Sequence, residues 1–352
     1  MESLYDNPYD GHTAGDLEIE FVAFSGGGMT GMSFVGVLES LHKHELYMGK
    51  HAVKYWAGSS AGAICAALAA MNTPIETINE LKYTDTRKLV SPGLKSFFIN
   101  SLAALSSIWL TWGVASRSGI VAWLEMVFVK LGYSPGLTFA ELYTLTGNYL
   151  TITATSLLKK DTLYFNRLRS PDMRIIDAVE MSINIPLVFN RYSWDGDFII
   201  DGGITNGLPL NVYDVVEDDV VMFYNRKAVG FNIHNASGST PITSLTGYIM
   251  GFIHTMLARL HAHKKAEQYY KDRVVDINID NMTSLDFTPD KDVIDRLCEK
   301  GYSVCEEFIN KRDGDIQKKR LPTGLFIPSY KSRCLGVVPK DSDIGKTVLY
   351  SR

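Results

Sequence analysis

Leu17-Glu18-Ile19-Glu20 alternates apolar and acidic residues, and Phe21-Val22-Ala23-Phe24 is then wholly apolar. A strand entering a buried sheet leaves this pattern. A glycine-rich turn, Ser25 to Gly31, follows it. Apolar residues at Phe34, Val35, Val37, Leu38 and Leu41 then recur at helical spacing as far as His44. Val53 to Ala57 reads as a second strand, a second glycine turn spans Gly58 to Gly62, and Ala63 to Met71 is a run of small, good helix formers. The pattern further predicts a mostly helical stretch over 72–115 and helices over 118–131, 138–146, 244–271 and 290–312. It predicts strands over 149–155, 162–166, 197–200, 219–224 and 274–279. Trp194-Asp195-Gly196-Asp197 places an Asp-Gly pair between polar and apolar runs, a hairpin signal. Alternating strands and helices without repeats or long linkers imply a layered α/β domain. It should cover residues 17–312, between a flexible lead over 1–16 and an irregular tail over 313–352.

The chain has 352 residues, 46% hydrophobic and 21% charged, ordinary soluble globular usage. A net charge of −4 argues against a broad nucleic-acid surface. The charge is uneven, with eight Lys/Arg against four Asp in the tail, a local excess that solvation alone can explain. Cys65, Cys298, Cys305 and Cys334 form no CxxC pair and no zinc spacing, and Cys65 suits a small buried hydrophobe. The N-terminus lacks a basic region and an apolar core, so no cleaved signal is expected. Phe97 to Ala115, the most lipid-like stretch, is broken by Asn100, Ser101, Ser106, Ser107 and Thr111, and falls short of a membrane span of ~20 residues. Its Phe97, Phe98, Leu102, Leu105, Trp109 and Trp112 suit a core stripe by default, or a surface touching a bilayer. A cytoplasmic protein, at most peripheral on membranes, is the expectation.

Three places carry chemistry. Gly26-Gly27-Gly28-Met29-Thr30-Gly31 lies between a strand and a helix and satisfies G-x-G-x-x-G, the dinucleotide fingerprint. That fingerprint also wants an acid at the end of the next strand, and Tyr55-Trp56-Ala57-Gly58 has none. No Gly-Lys-Ser/Thr follows, which excludes a P-loop. A plain turn and an oxyanion loop remain, the latter because consecutive glycines let several N–H groups converge at a helix N-terminus. Gly58-Ser59-Ser60-Ala61-Gly62 is G-x-S-x-G at a strand-to-helix junction, as a nucleophile elbow requires. Side chains two residues either side of Ser60 would collide in so sharp a turn. Asp201-Gly202-Gly203 follows an apolar strand, Phe198-Ile199-Ile200, that delivers the carboxylate to a glycine turn.

In this order the three motifs resemble the patatin-like phospholipase family. Ser25 to Gly31 is similar to its oxyanion loop, Gly58-x-Ser60-x-Gly62 to its nucleophile elbow and Asp201-Gly202-Gly203 to its aspartate motif. Ser182-Ile183-Asn184-Ile185-Pro186-Leu187-Val188-Phe189 is similar to a Ser-x-x-x-Pro-x-x-Phe block. Leu285-Asp286-Phe287 and Lys300-Gly301-Tyr302 are similar to the end of bacterial members, whereas Arg117 to Ile120 adds nothing. The resemblance implies a three-layer α/β/α fold with a mixed, mainly parallel central sheet. It implies a lipid acyl hydrolase of phospholipase A type, active in lipid degradation. Its substrate would be phospholipid or another acyl lipid at a membrane surface, with no nucleic-acid partner. Ser60 would be the nucleophile and Asp201 the base of a catalytic dyad. Gly26, Gly27, Gly28 and Ala61 would form the oxyanion hole, and no metal or organic cofactor would be needed. A free carboxylate of pKa ~4 is a weak base, so such a dyad leans on its oxyanion donors. Thr30 stands where the family usually has Arg or Lys, and restoring Arg there should leave the protein active.

Three rivals bear on this reading. An acyltransferase would use the same acyl-enzyme with another acceptor, a non-catalytic lipid-binding module would keep only the fold, and a dinucleotide oxidoreductase lacks its ribose-binding acid. The order Ser60, Asp201, then His234 or His254 also fits a Ser–Asp–His triad, although neither histidine sits in a loop motif at a strand end. His254, His261 and His263 share one predicted helix and read as a solvated face rather than a metal site.

Overall fold

The computed structural model describes residues 19–49, 51–89, 112–212, 228–236, 273–280 and 289–318. The expected lead over 1–16, the strand over 219–224 and the helix over 244–271 with His254, His261 and His263 lie outside them. So do Phe97 to Thr111, Leu285 to Phe287, Cys334 and the tail beyond 318.

The first strand, β1 (Phe21–Phe24), is fully buried, as its apolar run requires. A 3-10 turn (Gly28–Met32) leads into α1 (Ser33–Lys43), then β2 (Tyr55–Ser59) into α2 (Ala61–Ala70). Helices α3 (Ile75–Leu81) and α4 (Thr86–Leu89) follow, then β3 (Gly113–Ala115), α5 (Ser118–Lys130) and α6 (Phe139–Thr146). The chain continues through β4 (Tyr149–Ser156), β5 (Asp161–Asn166), α7 (Ile175–Ser182), β6 (Leu187–Phe189), β7 (Tyr192–Trp194) and β8 (Asp197–Asp201). After the short α8 (Gly203–Asn206) come β9 (Ala228–Ala236), β10 (Val274–Asp280) and α9 (Lys291–Lys318).

Seven strands run in the order β10-β9-β1-β2-β4-β8-β7, with β5 also pairing β4. The pairs from β10 to β4 are parallel, and β4 pairs antiparallel with β5 and β8. Helices pack on this sheet, giving an α/β fold with a mixed, mainly parallel sheet. The Asp-Gly hairpin joins β7 to β8: Asp195 has φ 50° and Gly196 φ 74°, the left-handed pair that a two-residue turn matched to strand twist demands.

Four differences from the sequence pattern have local causes. Residues 113–115 are a strand, because Gly113 and Ala115 find partners in Leu187 and Phe189, far along the chain. The strand at 228–236 carries Gly230, Asn232 and Asn235, residue types that strands avoid, yet it is held between β1 and β10. Helix α7 falls where the sequence pattern assigns no element, although Ile175, Ile176 and Val179 make a helical stripe and are all buried. Helix α9 continues to Lys318, so the first residues of the expected irregular tail are helical.

Candidate active site

Parallel pairing of β1 and β2, Phe24 opposite Gly58, brings both glycine turns to the same end of the sheet. Ser60 caps α2 with φ 54° and ψ −124°, a conformation that costs a non-glycine residue ~1–3 kcal/mol and persists only where surroundings enforce it. The enforcement is visible. A Cβ on Gly58 would lie 2.1 Å from the Gly62 carbonyl oxygen, and one on Gly62 would lie 2.4 Å from that of Phe24. The spacing of the two glycines is therefore a requirement of backbone contact.

β8 lies antiparallel to β4 with Asp201 opposite Ala154, while Ser59 lies opposite Thr153. This register sets the Asp201 carboxylate at the level of Ser60, and both are buried. Asp201 Oδ1 accepts from the Gly203 N–H at 2.7 Å. Oδ2 is buried and makes no well-formed hydrogen bond among the described residues, so it is the oxygen left open to the hydroxyl of Ser60. Burial pushes the Asp201 carboxyl up to about 6 from its ordinary 3.8, against the lowering effect of the Ser60 hydroxyl and the Gly203 N–H. A carboxylate so tuned is a better proton acceptor near neutral pH than a free one. His234 lies on β9, exposed to solvent.

The glycine loop is pinned from several sides. Ser25 N–H donates to Phe231 O at 3.0 Å, and Ser25 Oγ accepts from Ile233 N–H at 2.9 Å. Gly26 N–H donates to Gly207 O at 2.9 Å. That last bond corrects one expectation: the Gly26 N–H is already occupied and is no oxyanion donor. The N–H groups of Gly27, Gly28 and Ala61 have no acceptor among the described residues. Those of Gly28 and Ala61 begin helical turns, where orphan donors collect. Gly28 has φ 54°, open to glycine at little cost. Thr30 is fully buried, and its Oγ1 donates to Gly27 O at 2.6 Å. A hydroxyl therefore closes this loop at the position where the family resemblance led to an expectation of Arg or Lys. Arg at position 30 would have to bury a guanidinium and break that bond, so the expectation that it is harmless does not fit the packing.

The last residue of α7 and the segment after it tie the two halves of the site together. Ser182 Oγ accepts from the Ser60 N–H at 2.8 Å, and Ser182 O accepts from Gly202 N–H at 3.2 Å. Asn184 O accepts from Asp201 N–H at 2.8 Å, and its amide donates to Ile199 O at 2.5 Å. Behind it, buried Arg117 donates from Nη1 to Asn184 Oδ1 at 2.6 Å and to Asn190 O, and from Nε to Glu180 Oε1 at 3.2 Å. Arg117 thus belongs to the frame of the site, contrary to its dismissal from the sequence. Nothing in its spacing pairs it with a residue so far along the chain; the Ser182 to Phe189 block was the available signal.

Removing the Ser182 hydroxyl should leave a buried N–H at the elbow unpaired, a cost of ~1–3 kcal/mol. Steady-state kinetics of Ser182→Ala on a soluble ester should show kcat lowered ~10–100-fold with KM nearly unchanged. An unaltered kcat would mean that Ser60 holds its conformation without this bond.

From Ser60 and Ala61 a cavity of about 170 Å³ extends between α1, α2, α3 and α5. Met29, Phe34, Ile64 and Trp123 line it, and Lys82 borders it. Such a lining accepts an alkyl chain and offers little to a polar ligand. No group of three or more His, Cys, Asp or Glu among the described residues could hold a metal ion. No described helix is long and apolar enough to cross a membrane.

The family described as patatin-like phospholipase matches residues 22–213 of this chain. An uncharacterised protein of Acanthamoeba polyphaga mimivirus is 26% identical over 306 residues, covering 84% of this chain and 95% of that protein. A probable lipid hydrolase of Invertebrate iridescent virus 6 is 27% identical over 225 residues, 63% of this chain and 70% of its own length. Among solved structures, VipD from Legionella pneumophila superposes with a TM-score of 0.52 at 16% identity, covering 84% of this chain and 68% of that one. At that identity the likeness concerns the fold alone.

Proposed function

As the chain belongs to the patatin-like phospholipase family, a family of lipid hydrolases, we propose that it cleaves acyl esters of membrane lipids through an acyl-Ser60 intermediate with Asp201 as base. The observation that carries this reading is the strained Ser60 elbow with an otherwise unpartnered buried carboxylate oxygen beside it, at the mouth of an apolar cavity.

The acyl chain lies in the cavity, with the ester carbonyl over the elbow. Ser60 Oγ attacks the carbonyl carbon while its proton passes to Asp201 Oδ2. The carbonyl oxygen becomes an oxyanion, met by the N–H groups of Gly27, Gly28 and Ala61. One such donor is typically worth ~2.7–4 kcal/mol of transition-state stabilisation. The C–O bond to the alcohol then breaks, and Asp201 returns the proton to the departing oxygen. Water attacks the acyl-Ser60 carbonyl, giving its proton to Asp201, and the fatty acid leaves as Ser60 recovers its hydrogen. In support of Asp201 acting directly, the carboxyl is moved by burial, by the Ser60 hydroxyl and by the Gly203 N–H, with no imidazole among the described residues taking part.

A fluorophosphonate probe with peptide mapping tests the assignment. Labelling should fall on Ser60 alone, disappear in Ser60→Ala, and fade on acidification as Asp201 protonates near pH 6. The kcat/KM for a soluble ester should rise with pH through the same region and then level. Labelling of a different serine, or full turnover well below that pH, would overturn the reading.

A further inference from the structure

β4 does not stop at the level of Ser60. Three residues beyond Thr153 it ends at Ser156, so the β4–β5 turn, Leu157 to Lys160, stands roughly 10 Å past the site at ~3.3 Å per residue. The β7–β8 hairpin rises beside it: Leu157 N–H donates to Phe198 O at 3.1 Å, and Leu158 N–H to Asp197 Oδ1 at 2.9 Å. Buried Asp197 also accepts from Ser156 Oγ, which fixes the two tips to each other. Trp112 packs on Phe198 with ring centroids 5.0 Å apart, and the Arg191 guanidinium lies 4.9 Å over Trp112.

What these tips present to solvent is apolar. Leu158 is 72% exposed and Leu157 49%, with Trp112, Trp194 and Phe198 exposed next to them. Exposed apolar side chains scattered singly need no explanation, but five gathered on one rim of a candidate site mark an interaction surface. Lys159, Lys160 and Arg191 are exposed on the same rim, against the acids Asp161 and Asp195. Lysine is depleted from protein–protein interfaces, whereas apolar tips flanked by long cations, with tryptophan among them, fit the headgroup boundary of a bilayer.

We propose that this rim docks on the surface of a phospholipid bilayer containing anionic lipid. Leu157, Leu158 and Trp194 enter the headgroup–acyl boundary, and Lys159 and Lys160 lie at the phosphates. The tips belong to a sheet already fixed by hydrogen bonds, so insertion orders little chain, and each leucine taken from water favours the bound state. The bilayer then lies about 10 Å from Ser60, and a lipid has that distance to rise to reach it. The proposal rests on the lipid hydrolase reading for its purpose, while its measurement does not depend on turnover.

Co-sedimentation of the full chain with phosphatidylcholine vesicles, with and without phosphatidylserine, is the test. Leu158→Asp should lower the partition coefficient more than about tenfold with an unchanged thermal unfolding transition. Lys159→Glu with Lys160→Glu should lose partition selectively on vesicles containing phosphatidylserine. Leu145→Asp alters a side chain of equal character on α6, near the opposite end of β4, and should partition like the unaltered chain. The proposal is overturned if the unaltered chain does not partition, or if the rim variants match it. It is also overturned if Leu145→Asp loses as much, or if Leu158→Asp abolishes a dimer in ultracentrifugation but spares partition. Rim-dependent partition by a protein that hydrolyses no lipid would overturn the proposed function alone. Hydrolysis with rim-independent partition would overturn the rim alone.

Discussion

Asp201→Asn is expected to lose ester hydrolysis by on the order of 10⁴-fold and to gain stability at neutral pH. The two effects share one cause. Asn keeps the shape of the side chain and can accept the Gly203 N–H, but it takes no proton from Ser60. The carboxylate it replaces is costly to the fold, since burial holds the Asp201 carboxyl near 6, above its ordinary 3.8. The folded chain therefore binds that proton more tightly than the unfolded chain does. The stabilisation from holding it is complete below about pH 4 and lost as pH rises through about 6, a loss of about 3 kcal/mol by linkage. The neutral variant does not suffer this loss. Denaturant unfolding at pH 8 should show Asp201→Asn more stable by up to about 3 kcal/mol, with the gain shrinking toward pH 4. An inactive variant that is also less stable at pH 8 would mean that Asp201 serves the fold through a paired charge, and the mechanism would lose its base.

Gly58→Ala is expected to destabilise the protein by about 3 kcal/mol or more and to abolish labelling at Ser60. The added methyl would sit 2.1 Å from Gly62 O and 2.6 Å from Ala63 N, all backbone of the turn into α2, with no flexible side chain able to yield. Either α2 moves away from β2 or Ser60 leaves its strained conformation, and each outcome displaces the hydroxyl from Asp201. Gly27→Ala makes the contrast. Its methyl would meet Ile233 Cδ1 at 2.5 Å, the far end of a side chain that can rotate. Thermal melts should therefore separate the two variants clearly, with Gly27→Ala near the parent. Equal melting of Gly58→Ala and the parent would show that the elbow tolerates a wider turn than its geometry implies.

Much of this molecule was legible along the chain because its signals are local. The apolar run at Phe21 to Phe24 and the helix after Gly62 each follow from a few consecutive residues. So does the Asp-Gly hairpin, because periodicity and turn chemistry act over such distances. The G-x-S-x-G spacing likewise encoded the elbow, since the clash it avoids lies within a single turn.

Other features depend on partners that the sequence holds far apart. The strand at Gly113–Ala115 exists because Leu187 and Phe189 arrive beside it, and Arg117 acquires its place from Asn184 and Asn190. The Gly26 N–H looked like an oxyanion donor until folding brought Gly207 O against it. Thr30 looked like a lost charge until burial made its hydroxyl a closing bond. Asp201 carries an ordinary carboxylate pKa in an extended chain, and only its enclosure beside Ser60 raises it toward neutrality. Consecutive residues are enough to specify which turns the chain can make. Tertiary structure decided which donors remain free and which charges are desolvated, because hydrogen-bond competition and burial are properties of the neighbours a residue meets in space.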